Sequence, residues 1–244
     1  MEIDKVIMEK RRKIEESTGN EVRLIEDNTI RHHASINFPS WIGDMRRELP
    51  SILYHKDHKS ISILHELLHI EKFFVDKHSI VTFTYDTEHQ YDYLVPTIAV
   101  YKGIPEDYVV HKILSEEGYS PIDFINTLWF HKSRSIKRAI LILAANLINY
   151  FSFSRYCPEY QEKYDEFYNE VMKKRNEAFL IAEKGINLLT KTNVHNKVSV
   201  DECVDGFINI FSPRQYEDDT IYASHFEKIK DVWTYQRTFP KKGH

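Results

Sequence analysis

The sequence predicts an α+β fold, predominantly helical, with a small N-terminal sheet beside one histidine-bearing helix and a helical C-terminal half. Three observations predict it. Gly and Pro number only 7 and 8 in 244 residues, so obligatory breaks are few. Short β-branched and aromatic runs end by Tyr85. Beyond them, apolar residues recur mostly at helical spacing.

Taken in order, Ile3 to Ser17 carries Ile3, Val6, Ile7 and Ile14 among charges and then meets Gly19, a surface helix with a glycine stop. Val22–Ile25, Ala34–Phe38 and Ile52–Tyr54 read as short strands. Trp41 to Leu49 reads as a short helix closed by Pro50. From Ser60 or Ser62 to Asp76 runs the strongest helix, with Leu64, Leu67, Leu68 and Val75 on its apolar face and Phe73 and Phe74 extending it toward the core. Ile80–Tyr85 is a strand or extended link. Thr87 caps a helix that reaches Val95, where Pro96 breaks it. Helices are expected near Pro105–Glu116, Pro121–His131, Ser135–Ser152, Pro158–Leu189 (with a bend) and Val200–Ile210, and the tail after Pro213 has few periodic signals. The chain reads as residues 1–110 around the motif helix and 111–244 as a helical subdomain packed on it, or as one continuous domain.

Composition removes several classes. Basic residues number 33 against 37 acidic ones, a formal net charge of -4, so no large positive field calls for a nucleic acid or a membrane surface. Cys157 and Cys203 form neither a disulfide framework nor a cysteine-based metal site, which points to a reduced, cytoplasmic setting. The first residues open an amphipathic helix rather than a signal peptide. The most apolar stretch, Ala139 to Phe153, contains Asn146 and Asn149 and reads as a core helix.

The chemistry lies in Ser62-Ile63-Leu64-His65-Glu66-Leu67-Leu68-His69-Ile70-Glu71, a His-Glu-x-x-His pattern on a helix. Residues four apart stack one turn above another, so His65 and His69 can face one ion. Zinc accepts two imidazole nitrogens at that spacing without strain. Glu66, rotated by one residue, flanks the ion where a general base for a metal-held water must stand. Such a site also needs a third protein ligand and an open fourth position. A histidine and glycine shortly after the helix cannot supply it, because Val75 stands six beyond His69 and no Gly follows until Gly103.

Glu88 stands nineteen residues after His69, and Asp92 follows it by one turn. The segments from His65 to Asp92 resemble the two zinc-binding segments of gluzincin-type metallopeptidases and, more loosely, of the small IrrE/ImmA-type bacterial enzymes that cleave repressors. Leu68 stands where the latter have a glycine. The resemblance implies a zincin-type helix and one zinc ion held by His65, His69 and Glu88. It makes Glu66 the base and proton shuttle, and gives Asp92 the role of orienting a ligating imidazole. It also implies a tyrosine or histidine from the helical half at the oxyanion, with Tyr91, His111, His131, Tyr150 and Tyr156 as candidates. His89 is an alternative third ligand. A strand edge before the motif, at 34–38 or 52–54, could pair with an extended substrate. The expected partner is a peptide or protein substrate.

Two other readings stand beside this one. One is a different zinc amidohydrolase. The other is a helical interaction protein whose metal is structural or absent, its two histidines serving only the helix. His55, His58 and His78 read as surface histidines.

Overall fold

The computed structural model describes residues 3–30, 34–37, 45–56, 60–83, 103–120, 139–211 and 221–238. It is an α+β fold, mostly helical. Helix α1 spans Ile3–Thr18, buries Val6, Ile7 and Ile14, and ends where Gly19 takes φ 66°. Only glycine adopts that conformation cheaply.

Strands β1 (Leu24–Glu26), β2 (Ser35–Asn37) and β4 (Ser51–Tyr54) form a three-stranded sheet of order β1-β4-β2, with β4 parallel to β1 and antiparallel to β2. The Ile52 N–H donates to the Arg23 carbonyl on the β1 side. Its antiparallel partner Ile36 therefore belongs to a non-hydrogen-bonded pair and turns its own N–H and C=O to the outer edge.

Helix α2 (Ser60–Ile70) follows and is buried almost all round, with Leu64, Leu67, Leu68 and Ile70 at 0% exposure. Its polar residues Ser62, His65, Glu66 and His69 are buried with them, so the helix lies inside the molecule on nearly every side. It continues as a π-helical segment, Glu71–Val75, in which the Asp76 N–H bonds the Glu71 carbonyl at 3.0 Å. Buried Glu71 is held by Lys10 at 3.0 Å and Lys13 at 2.6 Å, tying α1 to this segment. Phe74 stacks on Phe226 at 4.3 Å and meets Trp233 edge-on at 5.0 Å.

Those two partners lie in a hairpin that the periodicity did not signal. Strands β6 (Ile221–Ile229) and β7 (Val232–Thr238) join β5 (Ile80–Phe83) and β3 (Met45–Arg46) in a sheet of order β3-β7-β6-β5. The tail thus pairs with the N-terminal half. The helix expected over Trp41–Leu49 is corrected at 45–46, which are a strand because β7 offers them a partner.

Helix α3 (Ile104–Glu116) begins with Pro105 in its first turn, a position suited to proline's fixed φ. Helices α4 (Ile140–Tyr156), α5 (Gln161–Lys174), α6 (Asn176–Lys191) and α7 (Lys197–Phe211) complete the chain's described helices. The expected bend in 158–189 is a break at Arg175. Gly185 allows α6 to approach α4, since a Cβ there would lie 2.4 Å from the Ile148 side chain. One continuous core runs from Val6 to Trp233. No helix among the described residues is long and apolar enough to cross a membrane.

Candidate metal centre

Helix α2 presents His65 and His69 on one face, and α3 presents Asp107 and His111 toward them with the same four-residue spacing. The Nε2 atoms of His65 and His69 lie 3.0 Å apart. Asp107 Oδ1 is 3.2 Å from His69 Nε2 and 3.8 Å from His65 Nε2. The circle through these three atoms has a radius of about 2.0 Å, close to the metal–ligand distances of a zinc site. Two imidazole nitrogens and one carboxylate oxygen are also a donor set that zinc takes. The residues fit the ion. Among the described residues, His65, His69 and Asp107 are the group that could hold one.

Burial divides the cluster. Both histidines are buried, at 7% and 6% exposure, whereas the Asp107 side chain is 46% exposed. Among the described residues the carboxylate therefore forms the rim.

Glu66 lies next to them, buried at 9% exposure. Burial raises its pKa, His69 opposes the rise, Asp107 adds to it, and a hydrogen bond from the Ile36 N–H opposes it. The result is a pKa of about 7. A donor on the outer edge of β2 thus reaches the motif. Burial disfavours a proton on His69, but the Asp107 carboxylate bonded to it, with Glu66 and Glu106 nearby, raises its pKa overall. His111 is buried beside His65, ring centroids 5.2 Å apart, and packs on Phe153 at 5.1 Å. Burial pushes its pKa down to about 4, so it is neutral near pH 7.

The structure brings together His65, Glu66, His69 and His111 of the predicted residues. Tyr150 is fully buried in the core against Phe167, and Tyr156 packs beside Tyr108. Glu88, His89, Tyr91, Asp92 and His131 lie outside the described residues. Asp107 was not anticipated. Its signal was the pair Asp107 and His111 at i and i+4 on a proline-started helix, which repeats the spacing of His65 and His69. His78 is corrected from a surface position, because it is 4% exposed behind the end of the π segment.

No protein-family model, curated protein or solved structure matches this chain.

Proposed function

We propose that the chain is a zinc-dependent peptidase in which His65, His69 and Asp107 hold the metal and Glu66 is the general base. The observation that carries this reading is the close triangle of two Nε2 atoms and one carboxylate oxygen beside a buried glutamate. Bound there, zinc would supply Lewis-acid polarisation and lower the pKa of water.

The chain's own residues do the rest. Glu66, adjacent to the ligand His65 in sequence and within electrostatic reach of His69, can take a proton from the attacking water and return it to the leaving nitrogen. The Ile36 N–H holds the carboxylate in place. The Ile36 C=O also faces the outer edge of β2, where an extended peptide could donate to it. Buried, neutral His111 can present an imidazole N–H without introducing a full positive charge.

Metal analysis with a peptide-cleavage assay tests the reading. The expected result is one zinc ion per chain and cleavage that a chelator stops and added zinc restores. A chain purified without stoichiometric divalent metal, and unable to take it up, would end the proposal.

A further inference from the structure

The ring of His69 separates two spaces. Its Nε2 faces His65 Nε2, 3.0 Å away, and Asp107 Oδ1, 3.2 Å away. Behind the ring lies a narrow cleft that His69 also lines, with room for about one water molecule. Phe73 and valines of α3 and α7 supply most of its wall. Among its polar lining residues, Lys72 is committed to Asp76 at 2.7 Å, and Glu106 is the acidic one.

Glu106 and Asp107 are consecutive on α3, about 100° apart around its axis. They straddle the imidazole: Asp107 reaches its Nε2, and Glu106 lines the cleft on the other side. Glu106 is half-buried and close enough for its charge to act on His69.

An imidazole that gives Nε2 to a metal keeps its proton on Nδ1, across the ring. Buried, that N–H needs an acceptor. We propose that one water in the cleft accepts it and donates to the Glu106 carboxylate, so that Glu106 orients His69 toward the metal. The inference rests on the metal site of the peptidase reading, and it gives Glu106 the part that the resemblance assigned to Asp92. Lys72 carries donors alone and cannot serve as the acceptor. Ser79, on the same lining, gives the water a further polar neighbour.

Competition with a chromogenic chelator measures zinc affinity, and the downfield proton spectrum of the zinc-loaded, isotope-labelled full chain reports the His69 Nδ1 proton. Glu106→Ala should weaken zinc binding by about 10–100-fold, as the loss of an outer-shell partner does, and speed exchange of that proton with solvent. Glu106→Gln keeps an acceptor oxygen and should recover much of both. Val204→Ile adds one carbon to the cleft wall, leaves Glu106 in place and should speed the exchange as well. Val109→Ile serves if that variant does not fold.

Exchange of the Nδ1 proton unchanged in Glu106→Ala, whatever the affinity, overturns the role of Glu106 and leaves the peptidase reading standing. So does a larger loss of affinity in Ser79→Ala than in Glu106→Ala. Exchange unchanged in the cleft-filling variant overturns the bridging water. A chain that takes up no zinc overturns both the inference and the reading beneath it.

Discussion

Asp107 Oδ1 sits 3.2 Å from His69 Nε2, across two helices and 38 positions of sequence. The contact changes which carboxylate is the first candidate to complete the metal cluster. Asp107→Ala should weaken zinc affinity by more than the roughly 10–100-fold seen when an outer-shell group is lost. Glu88→Ala, measured alongside by competition with a chromogenic chelator, should have the smaller effect. The reverse order would return the third position to Glu88.

Glu66→Gln should retain zinc but slow cleavage by roughly 10²–10⁴-fold, the usual contribution of a positioned acid–base group. Zinc stoichiometry and kcat report the two effects separately. Wild-type turnover in the glutamine variant would take Glu66 out of the mechanism.

Glu66 also gives the metal-free chain a pH signature. Its folded pKa of about 7 lies above the ordinary 4.5, so the folded state holds the proton more tightly than the unfolded state. The stability this contributes is full below pH 4.5 and is lost as pH rises through about 7, a change of up to about 3 kcal/mol. Denaturation of the metal-free chain from pH 4 to 8 should show this loss against Glu66→Gln, which lacks the titrating group. Parallel curves for the two chains would rule it out.

Ile36→Pro should leave the three-stranded sheet intact, because the N–H it removes faces the outer edge rather than β4. That N–H stabilises ionised Glu66, so its loss should raise the carboxyl pKa further. Carbon-detected NMR titration of the side chain, with melting as the control for folding, measures the change. An unchanged pKa would mean that the edge donor does not govern Glu66.

Phe74→Ala should destabilise the chain by about 3–5 kcal/mol, as losses of buried phenylalanine do. Phe74 is 2% exposed and wedged between Phe226 and Trp233 of the C-terminal hairpin. Urea denaturation checks the value, and a cost below 1 kcal/mol would show that the hairpin contact contributes little.

What the sequence made legible follows from range. The paired imidazoles and the flanking glutamate are set by helical periodicity within five residues, and α1, α2, α3 and α7 announce themselves through apolar spacing and their breaks. Asp107 was hidden because its partnership with His69 is made by packing between helices, which no local spacing encodes. His78 was misplaced because its neighbours Lys77 and Asp76 are polar, and only the chain reversal at Lys77, with φ 55°, carries it inward. The hairpin at 221–238 was missed for a related reason. Its alternation is weak, and its two strands are recognisable as a sheet only once they pair with each other over seven positions and with β3 and β5 on either side.

The π segment after His69 has a consequence for tolerance to length change. It absorbs one extra residue: upstream of it the histidines are aimed at α3, and within it Phe74 is aimed at the hairpin. Excising Lys72 would restore α-helical winding and leave the turns on either side close to their present phase, whereas the same excision inside α2 would swing everything beyond it by about 100° about the axis. Metal uptake and the terminal ribbon would both survive the first cut, and the second would part them.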